Sequence, residues 1–284
     1  MNRVLIDREQ RANEIARLLN QHDVVLSIHA NIPGMDKNIF PSTWLVKTLS
    51  SMEPWSNWKS FWYDSEDGAY VLILPEGIDP MTLKQQTVSL EKTHPLGRFI
   101  DLDVHTPKEI LHRNWPRPCI VCGKDALSCR RNQRHTVEEV LEIIQSSVLD
   151  EIVPLWHDGV RLAMDKELSL DPKFGLVTPL SQGSHLDMNA DLMKQAQKVI
   201  LPFFSEAFRF GAVQKKIEDG VMSLRQRGIN TENNMFQATQ GVNCYKGLIF
   251  DLGFFSYAVG FAFAHAMSYE NVRHLLTKMM MVPE

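Results

Sequence analysis

The sequence has few cysteines, no excess of basic residues and no apolar run long enough to span a membrane. Only four of its 284 residues are cysteines, and its formal net charge of −4 argues against general nucleic-acid binding. Residues 253–267 are the most apolar late stretch, but a membrane span needs roughly 20 residues. Charges interrupt the first residues, which argues against a signal peptide. We therefore expect a cytoplasmic protein with no nucleic-acid or membrane partner.

The composition and length are those of an ordinary globular protein with about two domains. The chain is 44% hydrophobic and 23% charged, and it contains no repeat or low-complexity tract. The first half mixes helical and strand patterns. The predicted elements of that half are helices over 7–20 and 41–49 and strands over 24–32, 69–74 and 98–105. The absence of a flexible linker indicates that the halves are joined tightly.

The second half has a helical pattern throughout. Thr136 and Glu139 form a capping box, which predicts a helix from there to about Leu149. Pro154 marks a kink or a fresh helix start. Long apolar helices are predicted over 192–210 and 248–265. We place the domain boundary near 149–152, giving an α+β domain over 1–149 and an all-α domain over 150–284.

Two carboxylates alternate along the predicted strand at 98–105. Asp101 and Asp103 are two residues apart, so their side chains point to the same face. Such a pair can hold Mg²⁺ on a polyphosphate, whereas a bare D-x-D also occurs on the solvated face of an edge strand. Here Gly97-Arg98 precedes the pair, and a glycine turn followed by D-x-D resembles the nucleotidyltransferase palm. The first domain is therefore expected to be nucleotidyltransferase-like.

The segment between Arg113 and His135 combines positive charge with thiols. It contains six Lys/Arg residues and one acid, Asp125. This is either a local anion site or a solvated basic loop, and arginines would hold phosphate oxygens in a bidentate way. The four potential Zn²⁺ ligands of the segment are Cys119, Cys122, Cys129 and His135. Their spacing is not that of a standard zinc finger, so free thiols lining a loop remain the alternative to a structural zinc.

The first half contains several motifs in a definite order. They are Arg8-Glu9-x-Arg11, Asn31-Ile32-Pro33-Gly34 with Lys37, Gly97-Arg98-x-x-Asp101-x-Asp103, and Arg117-Pro118-Cys119-x-x-Cys122-Gly123 through Cys129-x-Arg131 and Arg134-His135. Over about 7–144 the chain resembles the apo-citrate lyase phosphoribosyl-dephospho-CoA transferase family. The resemblance implies transfer of a phosphoribosyl-dephospho-CoA group to a serine of the citrate lyase acyl carrier subunit, with release of pyrophosphate.

This resemblance gives the residues their expected roles. Asp101 and Asp103 would hold Mg²⁺ on the triphosphate, and one of them could help to deprotonate the carrier serine. The turn and the cations that would contact the donor are Asn31, Gly34, Lys37, Arg98, Arg130, Arg131 and Arg134. The cations would neutralise charge that develops on the leaving pyrophosphate.

The second half carries a different set of motifs. They are Pro172-Lys173-x-Gly175-Leu176-Val177, Gly183-x-His185-x-Asp187-Met188, Leu224-Arg225-x-x-Gly228 with Glu232, and Gly241-Val242-Asn243-x-x-Lys246-Gly247. Over about 155–263 they resemble triphosphoribosyl-dephospho-CoA synthase. The resemblance implies that ATP and 3′-dephospho-CoA are joined with release of adenine, which makes the donor for the first half.

The reaction of that family requires a base, an acid and cations. The acid/base or metal candidates are His185, Asp187 and Glu232. The candidates for substrate contact are Lys173, Gly175, Arg225, Asn243, Lys246 and Gly247.

The second half also departs from the family pattern. Thr178 stands where the family has aspartate, Tyr245 stands where it has histidine, and a typical member continues past the position of Glu284. The alternative to a bifunctional enzyme is thus a transferase whose C-terminal half only binds a nucleotide or a subunit. A zinc-and-RNA-binding module is a further alternative, but the basic run over 117–135 contains no Phe, Tyr or Trp to stack on bases.

Overall fold

The computed structural model describes residues 3–283, and the chain divides into two compact units, 1–148 (unit 1) and 149–284 (unit 2). The elements of unit 1 are α1 (Arg3–Leu19), β1 (Val25–Ala30), α2 (Ser42–Ser50), β2 (Lys59–Tyr63), β3 (Tyr70–Leu74), α3 (Pro80–Thr93), β4 (Ile100–His105), β5 (Ile110–Leu111) and α4 (Ala126–Arg131). Helix α5 (Val137–Ser169) starts in unit 1 and continues into unit 2. Unit 2 then contains α6 (Ala190–Ala212), α7 (Val221–Ala238), α8 (Lys246–Ala264) and α9 (Asn271–Met280). The predicted α+β part followed by a helical part is confirmed.

The strands of unit 1 form one five-stranded sheet in the order β2-β3-β1-β4-β5. All neighbouring strands are antiparallel. One face of the sheet contributes Leu26, Ile28 and Leu102 to a core that includes Leu83 of α3. On the opposite face, α1 packs against the apolar residues of β1 and β3. The sheet is therefore covered by helices on both faces.

Strand alternation sets which polar side chains meet on the α1 face. In the register of β1 and β4, His29 pairs with Asp101 and Ser27 pairs with Asp103. Residues of β4 alternate between buried and half-buried, and both aspartates are half-buried. The two carboxylates thus lie on the same face of the strand, as their spacing predicts.

Several element bounds differ from the sequence-based expectation. Helix α1 begins at Arg3 rather than at residue 7, and Gly97–Phe99 forms a 3-10 turn that delays the start of β4. Strand β2 and helix α3 were not predicted. Asp79 caps α3 by accepting hydrogen bonds from the backbone of Met81 and Thr82, so a capping signal was present in the sequence.

Helix α5 begins with the predicted capping box. Thr136 Oγ1 accepts from the backbone N–H of Glu139 at 3.1 Å, and a carboxylate oxygen of Glu139 accepts from the N–H of Thr136 at 2.8 Å. The helix then runs through Pro154 without interruption to Ser169, so the predicted end near Leu149 is wrong, as is the fresh start, one of the two alternatives at Pro154. A proline removes one helix hydrogen bond, and core packing of Ile152 and Val160 on either side keeps the helix continuous.

The core of unit 2 is built by close packing of α6 against α8. A Cβ added to Gly260 would overlap the carbonyl oxygen of Phe208, and one added to Gly211 would overlap that of Tyr257. Only glycine permits this backbone approach. The buried Tyr257 hydroxyl donates to the carbonyl of Ile217 at 3.0 Å, which satisfies its polar end.

Helix α8 is the one helix among the described residues that is long and apolar enough to cross a membrane by composition. It has 19 residues with a mean hydropathy of 1.6, and half of it is buried inside the protein. Its buried residues Ile249, Phe254 and Tyr257 belong to the core of unit 2. This burial is typical of a core helix.

Candidate functional site

A polar cavity of about 740 Å³ lies in unit 1, where the ends of β1 and β4 meet α1 and α4. Its lining consists of Arg8, Arg11, His29, Ala30, Asn31, Ile32, Pro33, Gly34, Lys37, Asp67, Asp101, Arg130 and Val137. Four of these side chains are cationic and two are carboxylates, so the cavity carries a net positive charge that suits an anionic ligand.

Asp101 is held between two basic side chains. One carboxylate oxygen is paired with the guanidinium of Arg117, and the other lies 3.4 Å from Nε2 of His29. Burial raises the pKa of Asp101, but the hydrogen bond from His29 and the charge of Arg117 outweigh it and bring this pKa to about 2. A carboxylate with so low a pKa is a weak base, so Asp101 fits a charge-stabilising or orienting role better than proton abstraction.

His29 and Arg11 carry unused hydrogen-bonding atoms at this cavity. Nδ1 of His29 and Nη1 of Arg11 are buried and have no hydrogen-bond partner among the described residues. Buried polar atoms are normally paired because leaving them unpaired costs free energy. The two atoms are therefore candidates for contact with a ligand.

A buried carboxylate organises the two arginines of α1. Asp67 accepts from Nη2 of Arg8 at 2.9 Å and from Nη2 of Arg11 at 3.1 Å. The Asp67 side chain is only 5% exposed, whereas that of Arg8 is half exposed. This arrangement orients both guanidinium groups at the cavity wall.

The predicted turn after β1 forms another wall of the cavity. Gly34 has a φ of +85°, a left-handed conformation that favours glycine. The Lys37 ammonium donates to the carbonyl of Ile32, which fastens the turn, and burial lowers the pKa of Lys37. The amide oxygen of Asn31, in the orientation that satisfies its neighbours, accepts from Arg98 at 3.2 Å and Arg117 at 3.0 Å.

The structure brings only part of the predicted transferase set to this cavity. The predicted residues in its lining are Asn31, Gly34, Lys37, Asp101 and Arg130. The predicted residues that are not among the lining are Asp103, Arg98, Arg131 and Arg134. Sequence reasoning did not assign the lining residues Arg8, Arg11, His29 and Asp67 to the site. Arg8 and Arg11 had a signal in the first motif, whereas His29 and Asp67 stand alone in the sequence.

Arginine side chains fasten the cysteine segment to the sheet. Arg98 donates to the carbonyl of Pro118 at 2.7 Å. Arg117 donates to Glu91 at 2.7 Å and to the carbonyl of Ile100 at 2.9 Å. Arg98 thus holds the chain at Pro118 and is not part of the cavity wall.

The four predicted zinc ligands come together beside this cavity. One ligand atom from each of Cys119, Cys122, Cys129 and His135 lies within 4.8 Å of the others. Cys129 is buried on α4, and Cys122 is exposed in the preceding turn. Nε2 of His135 is buried without a hydrogen-bond partner among the described residues.

Unit 2 has its own cavity of about 460 Å³ between α7 and α8. Lys246 pairs with Glu232 at 2.8 Å inside it, and Arg225 and Gly247 also line it. The Arg225 guanidinium donates to the carbonyl of Val282 at 2.9 Å. Four of the predicted synthase residues therefore share one cavity.

The other predicted synthase residues lie outside this cavity lining. Lys173 pairs with Glu167 at 3.0 Å, and Asn243 accepts from the backbone N–H of Lys246 at 3.1 Å. Gly175, His185 and Asp187 belong to the loop between α5 and α6. Burial and the charge of Asp187 raise the pKa of Cys244, so the end of this loop next to α6 lies near the turn before α8.

The two departures from the family pattern have structural roles in this chain. Thr178 is buried, and its hydroxyl accepts from the backbone N–H of Ser181 at 3.1 Å. The Tyr245 hydroxyl accepts from Gln197 at 2.9 Å, and burial raises the pKa of Tyr245 to about 12. Tyr245 also lines an apolar cavity of about 660 Å³ between α5, α6 and α8. Neither residue supplies an ionised group near neutral pH.

Comparison with known proteins finds two families in tandem. Residues 1–151 match the model of apo-citrate lyase phosphoribosyl-dephospho-CoA transferase, and residues 157–280 match that of ATP:dephospho-CoA triphosphoribosyl transferase. Protein CitXG of Haemophilus influenzae is 37% identical over 196 residues, which are 66% of this chain and 42% of that protein. Protein CitXG of Leuconostoc mesenteroides subsp. cremoris is 34% identical over 215 residues, 69% of this chain and 44% of that protein.

The chain also matches a relative that is named for a single activity. The 2-(5''-triphosphoribosyl)-3'-dephosphocoenzyme-A synthase of Haemophilus ducreyi is 31% identical over 147 residues, covering 49% of this chain and 44% of that enzyme. The chain thus spans less than half the length of the curated relatives it matches. Because the first family model covers more than half of the residues, the chain belongs to the apo-citrate lyase phosphoribosyl-dephospho-CoA transferase family.

Proposed function

We propose that unit 1 transfers the 2′-(5″-phosphoribosyl)-3′-dephospho-CoA group from its triphosphate donor to a serine of the citrate lyase acyl carrier subunit. The serine oxygen attacks the phosphorus nearest the ribose, the bond to pyrophosphate breaks, and the serine proton passes to a base. Family membership supports this reaction. Both substrates of the proposed reaction are cytoplasmic compounds, which agrees with the cytoplasmic location expected from the sequence.

The observation that carries the proposal is the cationic cavity of unit 1. The four cationic side chains of the lining can bind the oxygens of a triphosphate. One of them, Arg11, has an Nη1 atom without a hydrogen-bond partner among the described residues. Positive charge that is already in place stabilises the negative charge that develops on leaving pyrophosphate. The cavity volume of about 740 Å³ is within the range of small-molecule sites.

We assign the proton-accepting role to His29. Its Nε2 faces the Asp101 carboxylate, which favours the tautomer with the proton on that nitrogen. The unpartnered Nδ1 is then free to accept a proton from the carrier serine. Asp101 would orient the ring, as a carboxylate does for histidine in a catalytic triad.

Mg²⁺ fits the chemistry of the oxygen donors on β4. Asp101 and Asp103 are half-buried carboxylates on one strand face, and Mg²⁺ is commonly held by one or two carboxylates and substrate phosphates. Asp101 already faces Arg117 and His29, so the ion would compete with these partners for its oxygens. When bound, Mg²⁺ would supply positive charge to the triphosphate.

A nucleotidyltransferase-like fold for unit 1 is part of the same proposal. The antiparallel sheet with a D-x-D strand beside its central strand supports it. The 3-10 turn at Gly97–Phe99, directly before that strand, is the second supporting feature.

The test uses preformed donor and apo carrier protein with the 284-residue chain. Arg130 and Arg131 provide a matched pair, since they are neighbours on α4 and only Arg130 is in the cavity lining. Arg130→Gln should lower the rate of carrier modification by about 10²-fold, and Arg131→Gln should leave it nearly unchanged. Carrier modification is measured as the mass increase of the carrier. Wild-type chain that is folded but leaves the carrier unmodified would refute the proposal.

We further propose that unit 2 makes the donor from ATP and 3′-dephospho-CoA. The 2′-hydroxyl of dephospho-CoA would attack C1 of the ATP ribose, and adenine would leave with the proton it needs. The match of 157–280 to the triphosphoribosyl transferase family and the cavity of Arg225, Glu232, Lys246 and Gly247 support this activity. Lys246 would contact the triphosphate, and Glu232 would take or hold the proton.

Adenine release is the direct measurement for unit 2. The chain is incubated with ATP, dephospho-CoA and Mg²⁺, and adenine is separated from the nucleotides. A catalytic rate that falls in Glu232→Gln supports donor synthesis. Folded chain that binds ATP without releasing adenine would leave a transferase with a nucleotide-binding second half.

A further inference from the structure

We propose that Cys119, Cys122, Cys129 and His135 form a structural zinc site in unit 1. The site would have three sulfur ligands and one nitrogen ligand. A closed set of four such ligands is typical of structural rather than catalytic zinc.

The spacing of the ligand atoms fits tetrahedral zinc. The Sγ atoms of Cys122 and Cys129 are 3.5 Å apart, and the four ligand atoms all lie within 4.8 Å of one another. Zn–S bonds of about 2.3 Å imply sulfur atoms roughly 3.8 Å apart in a tetrahedron. A disulfide would require about 2.0 Å between the sulfur atoms. The observed separation therefore matches shared coordination and not a covalent bond.

The backbone between the first two cysteines is folded in a way that presents both sulfur atoms to one point. The N–H of Gly123 donates to the carbonyl of Cys119 at 2.9 Å, and the N–H of Cys119 donates to the carbonyl of Lys124 at 2.5 Å. Gly123 has a φ of +70°, which lets the chain reverse directly after Cys122. The short turn holds this pair independently of the other two ligands.

His135 presents its ring as a zinc ligand would. Its Nε2 is buried without a hydrogen-bond partner among the described residues, whereas its Nδ1 lies 4.0 Å from a carboxylate oxygen of Glu139. In metal sites the second ring nitrogen commonly faces a carboxylate, which orients the ring. The capping box fixes that carboxylate at the start of α5.

The surrounding charge also suits the site. Three thiolates around Zn²⁺ leave a net charge of about −1, and Arg130, Arg131 and Arg134 are close in sequence to the third and fourth ligands. Helix α4 has only six residues, and isolated helices of that length are unstable. The metal would fasten this helix and thereby hold Arg130 at the cavity wall.

Metal content and Co²⁺ binding of the full 284-residue chain, prepared without a histidine tag, test the proposal. We expect about one zinc per chain. After chelation, Co²⁺ should produce thiolate-to-cobalt absorption and the intense visible bands of a tetrahedral site. Cys122→Ser removes an exposed ligand and should not disturb the core, and Cys244→Ser is the matched control because Cys244 lies in unit 2.

Removing an outer hydrogen-bond partner of a metal ligand lowers metal affinity by roughly 10- to 100-fold. Cys122→Ser and His135→Asn each remove a ligand itself, so we expect them to lower zinc affinity by more than that. The Cys244→Ser variant should retain wild-type affinity. Folded wild-type chain that binds neither zinc nor Co²⁺ through thiolates would overturn the proposal. So would Cys122→Ser chain that binds zinc as tightly as the wild type. Neither measurement depends on transferase or synthase activity, so the result is independent of the proposed reactions.

Discussion

Units 1 and 2 both carry motifs of a known family, but they arrange the motif residues differently. In unit 1, residues from separate motifs, such as Lys37 and Asp101, line one cavity. In unit 2, Glu232 and Lys246 share a cavity, whereas His185 and Asp187 lie on a loop outside its lining. A set of ordered motifs therefore does not by itself say that its residues meet.

The difference follows from the elements that hold the residues. Strand pairing fixes His29 beside Asp101, because the register of β1 and β4 leaves no freedom in which side chains face each other. In unit 2 the loop between α5 and α6 contains glycines with positive φ at 175 and 183, and it lies outside the regular helices and strands. Loops of this kind can move more readily than paired strands.

The largest expected effect is that of Asp101→Asn on carrier modification. The substitution removes the charge that orients His29 and balances Arg117. We expect kcat for carrier modification to fall by about 10²- to 10³-fold, while adenine release stays at the wild-type rate. The two reactions are measured separately on the same preparation. Equal loss of both reactions would mean that the two units do not act independently.

The corresponding test in unit 2 compares two lysines, both of which the motifs predict to contact the substrate. Lys246 lines the cavity, whereas Lys173 pairs with Glu167 outside the lining. Lys246→Met should lower adenine release by about 10²-fold, and Lys173→Met should change it far less. Carrier modification from preformed donor is the control and should not change. A larger loss in Lys173→Met would mean that the loop, and not the cavity between α7 and α8, holds the triphosphate.

The sequence predicted the parts of the fold that have strong local signals. The capping box of Thr136 and Glu139, the alternation in β4 and the apolar helix α8 were all evident from residue spacing. Strand β2 was missed because an edge strand with three of its five residues exposed has little hydrophobic pattern. Of the kink or fresh start predicted at Pro154, the fresh start was wrong because tertiary packing outweighed the local preference of proline.

The candidate site could be predicted only in part for a similar reason. Residues in motifs, such as Lys37 and Asp101, were found from their neighbours in sequence. His29 and Asp67 have no local signature, and they reach the cavity through strand register and a long-range pair with Arg8. Arg98 is a motif residue, whereas Arg130 is the unspecified position of Cys129-x-Arg131, and only the fold shows that Arg98 holds Pro118 while Arg130 lines the cavity.

The stability of unit 2 can be tested at the contact of α6 with α8. Gly260→Ala would force a methyl group onto the carbonyl oxygen of Phe208, and we expect a loss of about 1–3 kcal/mol in the free energy of unfolding. Gly159→Ala is the control, because that helix position has open space around it and should gain about 0.5–1 kcal/mol. Denaturant unfolding followed by far-ultraviolet circular dichroism measures both. A neutral Gly260→Ala would mean that α6 and α8 are not in backbone contact.

Acid should destabilise unit 1 before unit 2, and this is the smallest of the expected effects. Hydrogen bonds from Thr82 lower the pKa of Asp79, and those from Arg17 and Tyr63 bring the pKa of Glu14 to about 2. With Asp101, these are the described carboxyl groups that have a clearly lowered pKa, and all lie in unit 1. A lowered folded-state pKa contributes stability that is present above about pH 4 and is lost as the pH falls toward 2.

One buried group in unit 1 opposes this trend. Burial raises the pKa of Glu91 despite Arg117 and Arg113, so protonation of Glu91 offsets part of the loss. The net loss is expected to fall on unit 1, which contains five of the six tryptophans of the chain. Tryptophan fluorescence should therefore change at a higher pH than the helical circular dichroism signal, to which unit 2 contributes most.

Asp101→Asn tests how much Asp101 contributes to the acid sensitivity of unit 1. The variant lacks the carboxylate whose folded pKa is about 2, so its unfolding free energy should depend less on pH between 4 and 2 than that of the wild type. The hydrogen bond from His29 and the charge of Arg117 are the sources of the difference, which should amount to at most about 2 kcal/mol. Identical pH dependence in the two proteins would mean that Asp101 is held by neither partner, and then Asp101 does not orient His29.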